Sequence, residues 1–134
     1  MSDIQALARS WAAAWQGNDS AAFAALFTAD AIYRDDQAGR VSRGHEELSE
    51  FHRHFAAALS NVEFEFVSAF QSGRSACLEW ISTGMHTGSF HGRPPTGRRF
   101  RVPGVTVLTL APQGLISACT DYYDGLLLRK QLGG

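Results

Sequence analysis

The sequence has few of the features that mark a specialised class of protein. It contains only two cysteines in 134 residues. Cys77 and Cys119 are too few and too far apart for the disulfide framework of a small secreted domain. Both fall in strand-like segments, where a free cysteine usually packs as a small core residue. We therefore expect reduced thiols and a cytoplasmic protein.

Charge of one sign and long apolar runs are also lacking. The formal net charge is -1, so there is no overall basic field of the kind that attracts nucleic acid or anionic membranes. No apolar run approaches the roughly 18 to 20 residues of a membrane span, and the first residues lack the basic start of a signal peptide. We expect neither a nucleic acid nor a membrane as a partner.

Apolar and aromatic residues are abundant instead. Hydrophobic residues make up 45% of the chain, which includes nine phenylalanines, three tryptophans and three tyrosines. This is enough material for one packed core, and the length suits a single domain that spans residues 1–134. The aromatic residues could also line an apolar pocket.

Two helices are predicted at the start of the chain. Residues 2–5 fit a helix capping box, and the apolar residues that follow recur at helical spacing, with Trp11 and Trp15 on the same face. Asn18 or Asp19 can cap a second helix that continues to Phe27. Core packing explains the two indoles, and they could also cover a cavity.

The next segment changes from extended to helical. Residues 31–35 are strand-like, with Tyr33 and Asp35 on one side, and a polar loop is predicted over residues 36–43. A third helix begins at Gly44 and has an apolar stripe that contains Phe55. His52 lies in the same stripe, where a satisfied core histidine is the commoner case and a catalytic group the alternative.

From Val62 onward the period becomes two, which predicts four strands in a meander. Pro103 and Gly104 indicate a bulge or bend in the third of these strands. Beyond them both faces of the strand are apolar, so both need cover, and we expect a homodimer through the sheet. Four arginines (Arg93, Arg98, Arg99 and Arg101) form a local basic cluster, for which a solvated hairpin is favoured over an anion site.

The last strand ends in Cys-Thr-Asp-Tyr-Tyr-Asp, which concentrates carboxylates and phenols. Alternation places Asp121 on the same face as Ser117 and Cys119. Small neighbours beside a carboxylate could leave room for a ligand, although an aspartate held in a turn is an equally good explanation. A short helix is predicted over residues 126–131. The whole order predicts a curved antiparallel sheet with helices packed on one face.

The chain resembles a known superfamily in two stretches. The segment from Asn18 to Asp35, followed by Gly-His-Glu-Glu-Leu at residues 44–48, is similar to nuclear transport factor 2-like proteins. The segment from Ser82 to Gly97 looks like the hairpin signature of SnoaL-like polyketide cyclases. This resemblance implies an α+β fold, a cone-shaped barrel of a curved antiparallel or mixed sheet with the three N-terminal-half helices packed on its concave face.

The resemblance also implies roles for single residues. Asp121 falls on the position of the catalytic acid/base in SnoaL-like cyclases. In ketosteroid isomerases Asp35 would occupy the general-base position, but Trp11 stands where the oxyanion tyrosine is expected. Limonene epoxide hydrolases need an arginine and a second aspartate on the strand where this chain has Leu-Glu-Trp-Ile at residues 78–81. Neither the isomerase nor the hydrolase constellation is complete.

The leading hypothesis is an enzyme that performs cofactor-free acid/base chemistry on an apolar carbonyl compound, by aldol-type cyclisation or isomerisation. The alternatives are a non-catalytic module or structural dimer that binds an apolar ligand, and, less favoured, an epoxide hydrolase. No metal site is expected, because the histidines lack a ligand spacing. The candidate catalytic residues are Asp121, Asp35 and His52, and the candidate substrate-binding residues are Trp11, Trp15, Tyr33, Phe55, Cys119 and Tyr123.

Overall fold

The computed structural model describes residues 4–133, so the first residues of the predicted capping box lie outside the described range. No helix in this range is long and apolar enough to cross a membrane. The elements in chain order are α1 (Ile4–Gln16), α2 (Ser20–Ala24), β1 (Phe27–Asp35), β2 (Arg40–Arg43), α3 (Gly44–Ala58), β3 (Leu59–Ser72), β4 (Ser75–His86), β5 (Arg99–Leu110), β6 (Ile116–Tyr123) and α4 (Gly125–Gln131).

The strands form one six-stranded mixed sheet in the order β2-β1-β6-β5-β4-β3. The first strand in the sequence, β1, pairs in parallel with the last, β6, and all other neighbouring strands are antiparallel. The sheet does not close, since its edge strands β2 and β3 are not neighbours. Helix α1 packs on β3, and α3 packs on β1 and α2. The predicted α+β class, with helices over one face of a curved sheet, is confirmed.

Helix α2 is shorter than the sequence predicts. Asp19 caps it by accepting the backbone N–H of Ala22 at 3.0 Å, as expected, but the helix ends at Ala24. Phe27 begins β1 instead of ending α2. The backbone N–H of Ile116 donates to the carbonyl of Leu26 at 2.9 Å, which holds the chain at the sheet at this point. Tertiary pairing therefore overrides the helical spacing of the phenylalanines.

The predicted polar loop 36–43 is wrong in its second half. Residues 40–43 form β2, which pairs antiparallel with β1, so that Arg40 lies opposite Asp35 and Ser42 opposite Tyr33. Only a tight turn at 36–39 remains irregular. A four-residue strand rich in arginine and serine has no apolar alternation from which it could be recognised.

Strand β5 has no bulge against β4 at Pro103 and Gly104, which excludes one of the two irregularities, a bulge or a bend, that the sequence indicates there. Its register with β4 is continuous from Thr109 to Arg99. A glycine is needed at residue 104 for a different reason, because a Cβ there would lie within 2.7 Å of ring atoms of Trp80. The absence of a side chain at Gly104 leaves room for the Trp80 indole against the strand.

The inner face of β5 carries the even-numbered residues. Thr106 and Leu108 are buried, whereas Val107 faces outward. On β6, Cys119 and Asp121 share a face, as predicted, and this face is the inner one, but Ile116 takes the position on it that was expected for Ser117. The reason is a register irregularity, since Thr109 pairs with Ala118 but the next residue, Leu110, pairs with Ile116.

Candidate active site

Asp121 lies at the centre of the inner face, where β6 runs between β1 and β5. Its register partners are Asp35 on β1 and Thr106 on β5. The Tyr33 hydroxyl donates to Oδ2 of Asp121 at 2.5 Å, and the Thr106 hydroxyl donates to Oδ1 at 2.7 Å. Both oxygens of the buried carboxylate are thus held by short hydrogen bonds.

A second donor fixes the direction of the Thr106 hydroxyl. The indole Nε1–H of Trp80 donates to Oγ1 of Thr106 at 2.8 Å. Because Oγ1 accepts the hydrogen bond from Trp80, the hydroxyl hydrogen of Thr106 points at Asp121, which can only accept when ionised. Trp80, Thr106 and Asp121 therefore form a chain of two hydrogen bonds across β4, β5 and β6, which we call the relay.

The two parallel strands exchange tyrosine and aspartate contacts reciprocally. Tyr33 of β1 donates to Asp121 of β6, and Tyr123 of β6 donates to the Asp35 carboxylate of β1 at 3.0 and 3.1 Å. Asp35 also accepts the backbone N–H of Ala38 at 3.0 Å. In each strand the two side chains are two residues apart, which places them on the same face.

Burial governs the electrostatics of this pair. Desolvation raises the pKa of Asp121 to about 7, against the opposing effect of the hydrogen bonds from Tyr33 and Thr106, and the charge of Asp35 adds to the rise. Desolvation also raises the pKa of Asp35, while its hydrogen bonds from Ala38 and Tyr123 partly offset the effect. Asp121 is therefore poised to exchange a proton near neutral pH.

An apolar cavity opens onto the two carboxylates, and we call it the central cavity. Its volume is about 90 Å³, smaller than the roughly 150 Å³ cavity that holds benzene in another protein. A surface depression of about 1050 Å³, the mouth, shares five lining residues with it. A ligand of ordinary size would therefore extend from the central cavity into the mouth. The shared residues are Trp15, Ala56, Leu59, Val62 and Phe100.

Two hydrogen-bond donors of the cavity wall have no partner. The indole Nε1–H groups of Trp11 and Trp15 are buried without an acceptor among the described residues. Both indoles line the central cavity. A buried donor without a partner is energetically costly, so these N–H groups are candidate donors to an oxygen-bearing ligand that reaches them. The indole N–H can only donate, which favours a carbonyl or an enolate oxygen.

Six of the nine residues predicted for the site line the central cavity. They are Trp11, Trp15, Asp35, Phe55, Asp121 and Tyr123. Tyr33 and Cys119 are fully buried and lie behind the cavity surface. Tyr33 contributes through its hydrogen bond to Asp121, and its pKa is raised well above its usual range by desolvation. The sequence missed Thr106, Trp80 and Phe64, whose positions at the cavity wall follow from the inner-face parity of their strands.

The structure places His52, one of the three candidate catalytic residues, away from the central cavity. Its ring is held on both sides, with Nδ1 2.7 Å from the Ser20 hydroxyl and Nε2 2.7 Å from the carbonyl of Ala14. A carbonyl can only accept, so Nε2 carries the hydrogen and Nδ1 accepts from Ser20. Desolvation lowers the pKa of His52. The geometry makes it a neutral link between α1, α2 and α3.

Two further observations concern metal-binding groups and the residues of β4. Within residues 4–133, no cluster of histidine, cysteine and carboxylate side chains could hold a metal ion. On β4, Leu78 and Trp80 face inward, whereas Glu79 faces outward and accepts the Ser68 hydroxyl at 2.8 Å. The strand therefore offers neither the arginine nor the second aspartate that the resemblance to epoxide hydrolases would require.

The open mixed sheet, its covering helices and the apolar cavity between them define a ketosteroid isomerase-like, or nuclear transport factor 2-like, cone fold. Comparison with known proteins then narrows the class. The family model of SnoaL-like polyketide cyclases matches residues 5–132. The chain belongs to the SnoaL-like polyketide cyclase family. No significant match is found among curated protein sequences.

Solved structures share this architecture over almost the whole chain. A Catenulispora acidiphila protein with a ketosteroid isomerase-like fold, solved in complex with trimethylamine, is 29% identical, with a TM-score of 0.84 over 98% of this chain and 95% of that one. TsrD from Streptomyces laurentii is 25% identical, with a TM-score of 0.81 over 97% and 94%. A Jannaschia protein for which a SnoaL-like polyketide cyclase role has been suggested is 20% identical, with a TM-score of 0.86 over 100% and 96%, and shows the fold alone.

Proposed function

We propose that the protein is an enzyme that moves a proton to and from carbon in a small apolar carbonyl compound, leading to aldol-type cyclisation or isomerisation. The observation that carries this proposal is Asp121, a buried carboxylate with a pKa of about 7 at the wall of an apolar cavity. Hydrogens next to a carbonyl are weakly acidic, and a desolvated carboxylate with such a pKa is a suitable base.

In the proposed reaction, ionised Asp121 takes a proton from the carbon next to the carbonyl, and the C–H electron pair becomes part of an enolate. The enolate oxygen accepts the N–H of Trp11 or Trp15, which have no other partner. In cyclisation the enolate carbon bonds to a second carbonyl, whose oxygen takes the proton back from Asp121. In isomerisation the substrate is a β,γ-unsaturated ketone, so the enolate is a conjugated dienolate, and Asp121 returns the proton to its γ-carbon, which moves the double bond into conjugation with the carbonyl.

Asp35 helps to set the charge of the site in this scheme. Its carboxylate raises the pKa of Asp121, and the Tyr123 hydroxyl holds it at the cavity wall. A negative Asp35 therefore makes Asp121 a stronger base. His52 has no part in the scheme, because both of its ring nitrogens are occupied away from the cavity.

The test is exchange of carbon-bound hydrogen for deuterium in a panel of apolar ketones and 1,3-diketones, followed by NMR. The wild-type protein should accelerate exchange, and Asp121→Asn should lose on the order of 10²- to 10⁴-fold. Asp36→Asn, which removes an exposed neighbouring carboxylate, is the matched control and should retain the rate. If the wild type binds these ketones without accelerating exchange and Asp121→Asn binds equally well, the protein is the non-catalytic binder instead.

We also propose that the outer face of the sheet forms a homodimer. Phe70, Val107 and Tyr122 are 59%, 43% and 59% exposed on this face. Phe70 and Val107 both pair with Cys77, so these three residues lie in one row across β3, β4 and β5. Sedimentation should give the mass of two chains, and Val107→Glu should give one. Leu126→Glu places the same charge on α4, at another exposed apolar residue, and should leave the dimer intact.

A further inference from the structure

A second cavity lies apart from the central one, between the loop that joins β4 to β5 and the end of α4; we call it the hairpin cavity. Its volume is about 290 Å³, near the lower limit of about 300 Å³ for ordinary ligand pockets. It shares no lining residue with the central cavity. The lining residues are His86, Phe90, His91, Arg93, Pro94, Thr96, Arg129, Leu132 and Gly133.

Four of these side chains are basic, two arginines and two histidines, and no carboxylate side chain is among the described lining residues. Arg93 and Arg129 make no side-chain hydrogen bond or ion pair within the described part of the chain. Arg93 also has a fixed backbone position. Phe90 and Arg93 exchange two backbone hydrogen bonds at 3.0 and 2.9 Å across a two-residue turn, in which His91 and Gly92 both have positive φ.

His86 supplies a buried donor at the same cavity. The backbone N–H of Thr96 donates to Nδ1 of His86 at 3.3 Å, and an N–H can only donate, so Nδ1 is the accepting nitrogen. The Thr96 hydroxyl, 3.1 Å from Nδ1, accepts the backbone N–H of Arg98 and can donate to the same nitrogen. The imidazole therefore carries its hydrogen on Nε2.

That Nε2–H has no acceptor among the described residues, although His86 is only 2% exposed. Buried donors are almost always satisfied in folded proteins, so this one points to a group that residues 4–133 do not provide. An oxygen acceptor of negative charge would satisfy Nε2–H and the two guanidinium groups together. Phe90, Pro94 and Leu132 supply apolar walls for the remainder of the ligand.

We propose that the hairpin cavity is a binding site for a small organic carboxylate with an apolar body. The carboxylate accepts from Nε2 of His86 and from Arg93 and Arg129, whose planar guanidinium groups match its two oxygens. The apolar body lies against Phe90, Pro94 and Leu132. The basic cluster predicted from the sequence is split between two places, since Arg93 lines the hairpin cavity whereas Arg99 and Arg101 line the mouth.

The site would also join two parts of the fold. Phe90 and Leu132 belong to a buried cluster that includes Phe100 and Leu128, and these two also line the central cavity. A carboxylate held by the turn and by α4 would therefore brace one wall of the central cavity. Binding at the hairpin cavity does not depend on the proposed reaction, because Asp121 and Asp35 are not part of it.

The test is titration of ¹⁵N-labelled protein, without a C-terminal tag, with millimolar benzoate and, in parallel, with its neutral analogue benzamide. Benzoate should shift the amide signals of residues 86–96 and 129–133 and the Nε2–H signal of His86, and benzamide should not. The Arg93→Gln/Arg129→Gln double variant should weaken benzoate binding by at least about tenfold, as expected for lost charge-assisted hydrogen bonds. Arg74→Gln, at the distant β3–β4 turn, is the control and should bind as the wild type does.

Several results would overturn the proposal. Shifts confined to central-cavity residues such as Trp80 and Asp121 would mean that benzoate binds elsewhere. Equal shifts with benzamide would show that charge is irrelevant, and unchanged affinity in the double variant would remove the arginines from the site. A titration with inorganic phosphate in place of benzoate tests whether the site accepts any anion. Phosphate binding as tight as benzoate binding would contradict a role for the apolar walls.

Discussion

Replacing Thr106 with valine tests whether the relay from Trp80 controls the basicity of Asp121. Valine keeps the shape of threonine but removes the hydroxyl that donates to Asp121 at 2.7 Å and accepts from Trp80 at 2.8 Å. A hydrogen bond to a charged group contributes about 1.5 to 3 kcal/mol, and each pKa unit corresponds to about 1.4 kcal/mol. Because this bond lowers the pKa of Asp121, its loss should raise that pKa by about one to two units.

Stability should fall in the same variant. The buried Nε1–H of Trp80 loses its acceptor, which costs about 1 to 3 kcal/mol in the free energy of unfolding. The pKa is measured by NMR titration of ¹³C-carboxyl-labelled aspartate, with Asp121→Asn to assign the signal, and stability is measured by urea unfolding. If a substrate has been found, the midpoint of the pH–rate profile should move upward with the pKa.

Thr120→Val is the matched control for this experiment. Thr120 lies one residue before Asp121 but points to the outer face, opposite Val107. The same chemical change there should leave the pKa of Asp121 where it is in the wild type. An unchanged or lower pKa in a folded Thr106→Val protein would refute the relay, because it would mean that the hydroxyl does not stabilise the ionised carboxylate.

Two further predictions concern the same inner face. Gly104→Ala places a methyl group within 2.7 Å of the Trp80 ring and should lower the free energy of unfolding by about 1 to 3 kcal/mol, as measured in urea; a neutral effect would mean that the indole can move aside. Asp121→Asn should flatten the pH dependence of stability. The folded-state pKa of about 7 lies about three units above the ordinary value of 3.8, so Asp121 favours the folded state most below about pH 4, and up to about 4 kcal/mol is lost as the pH rises through 7. Comparison of urea unfolding of wild type and variant at acidic and mildly alkaline pH measures this difference, and equal slopes would contradict the raised pKa.

The sequence was sufficient for the elements that carry strong periodic signals. Helices α1 and α3 and the meander β3 to β6 follow from apolar periods of 3.6 and two, and alternation places Tyr33 with Asp35, and Cys119 with Asp121, on a shared face. Short elements without an apolar period were not predictable. Strand β2 is defined by its pairing with β1, and the end of α2 by a tertiary hydrogen bond.

The site was predictable only in part for a related reason. Asp121 stands out in the sequence by its carboxylate beside two tyrosines, whereas Thr106 resembles any other threonine in a strand. Its importance arises from register, which brings it between Trp80 and Asp121. His52 shows the converse case, since its place on an apolar stripe could not reveal that Ser20 and Ala14 hold both ring nitrogens.

The reciprocal pairing of β1 with β6 also has a consequence for folding. Each tyrosine–aspartate hydrogen bond joins residues 88 positions apart, so the loop that must close is most of the chain. Contacts of such long range form late and slow the folding of a domain. A growing chain on the ribosome would carry Asp35 long before Tyr123 and Asp121 exist, and would expose that carboxylate to water with an ordinary acidity. The chemistry of the site can therefore appear only when folding is complete, so proton-transfer activity would also report that the last strand has docked.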